Sequence, residues 1–264
     1  MAKFLIKGGK KLEGEINLSG NKNSALKLMA ASLLAKGPST LTNVPKIRDV
    51  EVMGRLIEKL GAKIKGLGTS TLIIDPSSLS SFKLDPELSS RIRASVVLAA
   101  PLLSKFGKAV ITPPGGDQIG ERLLDTHFSM MEKMGISIKR ENGEYFLRWT
   151  KRKAVDIFLE ESSVTATEMG MMLAAGLTGE IKIEDAACEP HVQDLADFLS
   201  KMGARIDGAG TNTLIIKGNA KLRGREYRVI PDHIEGGTFA IAAAISGGRA
   251  VSYTHLTLPT IYSV

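Results

Sequence analysis

The sequence predicts an α/β protein assembled from repeated units, and three observations carry that expectation. A segment in which a helix ends on glycine and gives way to a strand, a turn and a second strand occurs three times, at Leu60–Ile74, Met134–Leu147 and Met202–Ile216. The first and third copies share Gly-Ala-Lys/Arg-Ile at the start and Gly-Thr-Ser/Asn-Thr-Leu-Ile-Ile at the end. Each copy follows an amphipathic helical pattern, and each of those follows a β-rich segment and a helical run that is apolar almost all round. A helix with no polar face has to be buried, so the repeats place apolar helices at the centre and sheets outside.

In chain order, the first unit reads as an apolar helix at Ala25–Leu34, a strand at Ser39–Thr42 and an amphipathic helix at Asp49–Leu60. The second has its apolar helix at Ala94–Leu103, a strand at Ala109–Thr112 and an amphipathic helix at Glu121–Met134. The third has Thr167–Leu177, Glu180–Glu184 and His191–Met202, with Leu195, Phe198 and Met202 at helical spacing on one face. Glycine at each helix end and in each hairpin is what those turns require. The unit is therefore β-α-β-α-β-β in cyclic order, and the methionines at 169, 171 and 172 read as core. A fourth unit begins at Thr238–Val251 with an apolar helix, a glycine break and a strand, but Ser252–Val264 continues neither pattern. That tail is expected to be non-genuine sequence.

Composition bounds the function. With 264 residues, 43% hydrophobic and 24% charged, the chain can bury a core without covalent staples. One cysteine, Cys188, excludes an internal disulfide and a cysteine-rich zinc module, and reads as a spectator thiol. The longest apolar runs reach about half the ~20 residues of a membrane span, so neither a span nor membrane binding is expected. The start of the chain lacks a signal-peptide core, which makes the expected location cytoplasmic. A net charge of +7 points to an anionic partner. Without a basic run, and with only 5% aromatics for base stacking, nucleic acid is not the expected one.

Polar residues gather where the apolar helices begin: Lys22 and Asn23 at the first, Arg91 and Arg93 at the second, Ser162, Ser163 and Thr165 at the third, and Asp232, His233 and Glu235 at the fourth. If the helices pack side by side, their free N–H groups and positive dipole ends converge, and with Lys22 and Arg93 they form an anion site. A glycine-rich stretch, Pro113–Arg122, carries Asp117 at its tip and runs towards Asp125 and His127. It lacks the Lys-Ser/Thr of a phosphate-binding P-loop and reads either as a plain turn or as a mobile loop delivering an acid. His127, His191, His233 and His255 have no metal-ligand spacing.

At these residues the chain resembles the enolpyruvyltransferases, in the branch that acts on UDP-N-acetylglucosamine. The matching segments are Ser19–Leu26, Ile92–Ser95, Pro114–Arg122, Asp125–His127, Ser163–Thr167, Glu189–Pro190, Gly203–Ile206 and Tyr227–Thr238, in order and at consistent spacing. The resemblance implies an inside-out α/β barrel of two domains. Residues 22–230 would form a complete three-repeat domain, while 1–21 and 231–251 would belong to a second domain that is incomplete here. It also implies transfer of the enolpyruvyl group of phosphoenolpyruvate to the 3′-hydroxyl of UDP-N-acetylglucosamine, with release of phosphate, and neither a cofactor nor a metal. A shikimate-phosphate enolpyruvyltransferase, and a truncated half-enzyme that only binds nucleotide sugar, are the alternatives.

Carried over residue by residue, the resemblance makes Lys22, Asn23, Arg93 and Arg122 ligands of phosphoenolpyruvate and phosphate. Asp117 becomes the loop acid, with Lys22 and Arg122 beside it in the catalytic set. Arg93, Arg122, Leu123, Leu124, Asp125, Thr126, His127, Ser163, Val164 and Asp232 become contacts to the substrates. An aspartate base and further arginines are expected from a part of the second domain that this chain does not include, so the chain alone is expected to be inactive. The chain departs from the usual pattern at Leu123, where proline is common, at His233, where arginine is usual, and at Glu161, where a lysine can contact the nucleotide. Many relatives also carry cysteine where this chain has Asp117. The epoxide fosfomycin, which alkylates that thiol, is therefore expected to leave the chain unmodified. Intact-mass spectrometry checks this, and a stoichiometric adduct at Asp117 would overturn it.

Overall fold

Helices that have no polar face to offer water can be stable only against one another and against the inner faces of sheets. A computed structural model describes residues 3–116, 123–219 and 221–252. It contains β1 (Glu13–Ile16), α1 (Lys22–Ala31) running into a 3-10 turn at Ser32–Leu34, β2 (Ser39–Thr42), α2 (Arg48–Lys59), β3 (Lys63–Lys65) and β4 (Thr71–Asp75). The short helix α3 (Pro86–Ser89) precedes a 3-10 segment, Arg93–Leu98, that leads into α4 (Ala99–Phe106). Then come β5 (Lys108–Ile111), α5 (Asp125–Lys133), β6 (Ile136–Glu141), β7 (Glu144–Trp149), β8 (Ile157–Phe158) and α6 (Val164–Ala175). The third unit continues with β9 (Glu180–Glu184), α7 (Pro190–Met202), β10 (Arg205–Asp207) and β11 (Thr213–Lys217). It is followed by β12 (Glu226–Arg228), α8 (His233–Ser246) and β13 (Arg249–Ser252).

Each unit folds its strands in one order. In the first sheet the sequence across is β12-β2-β4-β3, in the third β8-β9-β11-β10, and in the second β5-β7-β6, with Lys83 bridged in parallel to Val110 at the free edge of β5. A parallel edge, then three antiparallel strands, recurs in all three, the edge being a strand in the first and third sheets and a single bridge at Lys83 in the second. The edge strand of the first sheet comes from the far end of the chain: Glu226, Tyr227 and Arg228 pair with Thr40, Leu41 and Thr42. The three sheets thus enclose a core in which α1, the Arg93–Phe106 segment and α6 are buried over most of their length. Leu28, Met29, Val97, Leu102, Met171 and Leu173 are at or near zero exposure there.

The elements agree with the sequence expectation with local exceptions. The second central helix starts as a 3-10 segment. Pro101 lacks an N–H and clashes with a carbonyl four residues back, so it is tolerated only in the first turn of an α-helix, and α4 begins two residues before it. The second amphipathic helix starts at Asp125 rather than at Glu121, and residues 117–122 lie outside the described residues. The fourth apolar helix departs most. Of α8, Ala243 is buried, while Ile241 and Ile245 are 64% and 82% exposed. It packs on β13, which pairs in parallel with β1, and no other described sheet covers its opposite side. The tail at 253–264 lies outside the described residues.

The first and third hairpins are built on the same atoms. Gly66 and Gly208 have φ of +82° and +86°, and a Cβ at either would stand 2.1 Å from the carbonyl oxygen of Thr71 or Thr213. In both turns a threonine hydroxyl, Thr69 or Thr211, donates to that same carbonyl and to the glycine carbonyl. Alanine at either position should destabilise the fold by roughly 1–3 kcal/mol, and the two losses should match. Urea unfolding of Gly66→Ala and Gly208→Ala measures both, and a neutral result at either would refute the equivalence.

Candidate active site

The N-termini of the central helices meet on one side of the core. Asn21, wholly buried, caps α1 by accepting from Ser24 N at 2.8 Å. Ser163 caps α6, accepting from Ala166 N at 3.5 Å. Asp232 caps α8, accepting from Ile234 N and Glu235 N at 2.9 and 3.2 Å, and its second oxygen accepts from Lys22 N at 3.3 Å. The chain passes twice through this region, and the two passes are tied together: Asn21 N donates to Ile230 O, Asp232 N to Ser19 O, and Ser19 donates through both its N–H and hydroxyl to Glu235.

A cleft of about 680 Å³ opens between α1, α5, α6 and α7, with Asn23, Arg93, Thr126, His127, Ser163 and Thr165 among its walls. A smaller recess of about 180 Å³ shares Asn23, Lys27, Arg93 and Thr165 with it and adds Lys22, Arg91, Asp49 and Gly116. Lys22 and Asn23 also line a third cavity, of about 480 Å³, towards Asp232 and Glu235. The recess therefore holds four cationic side chains against the carboxylate of Asp49. Lys22 Nζ lies 3.2 Å from Asp49 with both side chains a third to a half exposed, a pairing worth at most about 1 kcal/mol and easily exchanged for a ligand. Arg93 is half-buried and donates from Nη2 to Leu123 O at 3.3 Å, which ties the second helix start to the segment leading into α5.

Buried ionisable groups sit behind the cleft wall. Asp194 of α7 accepts from the hydroxyls of Ser24 and Tyr227, the latter at 2.7 Å, and from Ile230 N at 3.5 Å. Burial pushes its carboxyl up while those donors pull it down, and Tyr227 is held as the neutral phenol by burial and by Asp194. The cluster clamps the first turn of α1 to α7 and to the returning chain, so it orients Lys22 and Asn23. His127 Nε2 lies 2.8 Å from the Thr165 hydroxyl, and burial, helped by Arg93, pushes its pKa down to about 4. His191 is likewise lowered to about 4, by burial first and then by Lys27 and His233, whose ring stacks on it at 5.9 Å.

Of the residues singled out from sequence, Asn23, Arg93, Leu123, Asp125, Thr126, His127, Ser163 and Val164 line the large cleft, and Lys22 lines the adjoining recess. Leu124 is buried beneath the start of α5. Asp232 lies across the third cavity, with Lys22 between it and the recess. Asp117 and Arg122 lie outside the described residues. Cys188 is exposed and lines none of these three cavities. Sequence reasoning missed Lys27, Glu168, His191 and Asp194. A lysine inside an otherwise apolar run and a glutamate between Thr167 and Met169 were the available signals.

A core of helices wrapped by three like sheets, with cations at the helix starts, defines a class of α/β fold, and sequence comparison names its family. The family described as EPSP synthase (3-phosphoshikimate 1-carboxyvinyltransferase) matches residues 6–262, and the chain belongs to that family. Among curated relatives it is 47% identical over 243 residues to the UDP-N-acetylglucosamine 1-carboxyvinyltransferase of Bradyrhizobium diazoefficiens, covering 92% of this chain and 56% of that protein. It is 44% identical over 260 residues to UDP-N-acetylglucosamine 1-carboxyvinyltransferase 3 of Caldanaerobacter subterraneus subsp. tengcongensis, covering 97% and 62%. The chain thus spans a little over half the length of these relatives. Among solved structures the enolpyruvyl transferase NikO from Streptomyces tendae superposes with a TM-score of 0.76 at 24% identity, over 88% of this chain and 55% of that one. EPSP synthase from Acinetobacter baumannii gives 0.69 at 18%, over 90% and 54%. At these identities the likeness is one of fold.

The depressed His127 has a measurable consequence. An unfolded histidine takes up its proton near pH 6.5, the folded one only at about 4. Between those values the unfolded state binds more protons, so the stability associated with neutral His127 is present above pH 6.5 and is lost as pH falls towards 4. His127→Gln should flatten the fall of stability across that window by up to one proton's worth of slope. Other buried groups titrate alike in both proteins and cancel in the difference. Unfolding free energies measured across the window decide it, and an unchanged slope would show that the ring titrates normally.

Proposed function

We propose that this chain binds UDP-N-acetylglucosamine and phosphoenolpyruvate, and that its function is transfer of the enolpyruvyl group to the sugar 3′-hydroxyl with release of phosphate. The observation that carries this is the convergence of Lys22, Asn23 and Arg93 with Thr126 and Ser163 on adjoining cavities, one large and one small and cation-rich. The large cleft would take the nucleotide sugar along Asp125–His127 and Ser163–Val164. The recess would take the phosphate and carboxylate of the three-carbon substrate. Protonation of phosphoenolpyruvate at C3 makes C2 electrophilic, the sugar oxygen adds there, and the tetrahedral intermediate expels phosphate. Cations on the phosphate and a proton donor at C3 are the groups such a reaction needs. Lys22 and Arg93 would supply the first, with Arg122, and Asp117 the second. The names of relatives at 42–47% identity favour the nucleotide sugar over shikimate phosphate as acceptor.

On this reading residues 22–230 form the three-repeat domain, and 1–21 with 231–251 belong to a second. The parallel pairing of β1 with β13, apart from the three sheets, supports that division. The reaction would be the first committed step of peptidoglycan synthesis, in the cytoplasm, and so would serve cell-wall growth, cell shape and division. Among the described residues no helix is long and apolar enough to cross a membrane.

Calorimetric titration should show UDP-N-acetylglucosamine binding, weakened about tenfold or more in Arg93→Ala through loss of a charged donor. Any phosphate release from phosphoenolpyruvate should require UDP-N-acetylglucosamine and should not be supported by shikimate 3-phosphate. Release with shikimate 3-phosphate alone would transfer the assignment to the other acceptor. Binding without release would leave only the nucleotide-sugar half of the proposal.

A further inference from the structure

The polar groups of the cleft described so far sit at helix starts, but Lys27 does not. It lies one turn beyond Asn23 along α1 and lines both the large cleft and the recess. The two cavities share four residues, Asn23, Lys27, Arg93 and Thr165, so Lys27 stands at their junction. Its ammonium is 3.3 Å from Glu168 Oε2 of α6, with the two side chains 5% and 0% exposed. Among the described residues neither carboxylate oxygen of Glu168 has a donor beyond Lys27, so the carboxylate depends on Lys27 for its stabilisation. Burial pushes Glu168 up to about 7, with Lys27 pulling it down and Glu189, ahead of α7, adding to the rise.

A buried ion pair that serves only to join two helices satisfies its carboxylate with further donors, because an under-bonded buried charge is costly. Here, among the described residues, the carboxylate has the lysine alone, while the lysine faces two cavities already lined by cations. The recess, at about 180 Å³, is about a quarter the size of the cleft of about 680 Å³, which suits it to the smaller of two anionic ligands. Lys22, Lys27, Arg91 and Arg93 all reach it. Of these, Lys22 is tied to partly exposed Asp49, Arg91 to Glu87 on its own surface turn and Arg93 to Leu123 O, while Lys27 is the one of the four paired with a fully buried carboxylate.

We propose that Lys27 binds the phosphate group of the small substrate at the junction of the two cavities, and that Glu168 is the internal counter-ion that holds its ammonium there when the recess is empty. The proposal rests on the functional reading above and adds a residue to it. Phosphate and Glu168 compete for one ammonium, so the two members of the pair affect binding in opposite directions. A purely structural pair would move both the same way.

The test is titration of inorganic phosphate at constant ionic strength, with UDP-N-acetylglucosamine titrated in parallel as the reference ligand. Lys27→Met should weaken phosphate binding about tenfold or more, the loss of one charge-assisted contact, and leave UDP-N-acetylglucosamine binding within about threefold. Glu168→Gln, which frees the ammonium from its competitor, should tighten phosphate binding. The double variant Lys27→Met/Glu168→Leu replaces the pair with apolar groups, which keeps the core packed and controls for misfolding. It should bind phosphate as weakly as Lys27→Met. Wild-type phosphate affinity in the double variant, or weakening of phosphate binding by Glu168→Gln, would overturn the proposal. So would a wild-type chain that binds UDP-N-acetylglucosamine but no phosphate, with the functional reading left standing. Failure of the wild-type chain to bind either ligand would count against that reading itself.

Discussion

The structure depends on a single constraint: three helical segments have no face they can show to water. Leu28 and Met29 of α1, Val97 and Leu102 of the second segment, and Met171 and Leu173 of α6 are all removed from solvent. Burying such helices leaves their N-terminal N–H groups in need of partners inside a protein rather than in water. Asn21 and Ser163 meet part of that need as caps. What remains is a set of positive helix ends facing adjoining cavities that Lys22 and Arg93 also border. The same packing that stabilises the core therefore decides where those cavities open.

A second layer of control comes from charges buried behind the cleft. Asp194 gathers Ser24, Tyr227 and Ile230 around one carboxylate and so joins α1, α7 and the returning chain at a point one turn from Lys22. This cluster is well satisfied, and it reads as the device that fixes where the first helix starts. The Lys27–Glu168 pair differs in kind, because among the described residues its carboxylate has no donor beyond Lys27 and its ammonium borders open cavities. Two buried carboxylates close to the same helix thus behave differently, and the number of donors around each decides which is rigid and which can exchange its partner.

The apolar helix α8 illustrates the limit of a burial rule taken alone. Its sequence is as apolar as those of the central helices, yet its residues are largely exposed among the described residues. The central helices are buried because three sheets, each with the same strand order, surround them. α8 has a two-stranded sheet for a neighbour. Hydrophobicity states what a helix requires, and the surrounding elements determine whether the requirement is met.

Much of the fold was legible in the sequence because its periodicities are local. The hairpins at Gly66 and Gly208 repeat the same residues in the same turn, and β2, β9 and the ends of α7 fall where alternation and helical spacing place them. The sequence also showed that Lys22, Asn23, Arg93 and Ser163 stand at helix starts. That those starts share adjoining cavities is a tertiary fact, since it depends on how far apart the helix axes pack. The same holds for the edge strand of the first sheet, supplied by Glu226–Arg228 nearly 190 residues after its partner β2. Lys27, Glu168 and Asp194 were hidden inside apolar or amphipathic runs, where a lone charge has no periodic signature. The sequence by itself determined which segments must be buried and which residues open them. Only the tertiary structure decided which buried charges meet, because pairing across helices is set by packing distance and solvent exclusion rather than by spacing along the chain.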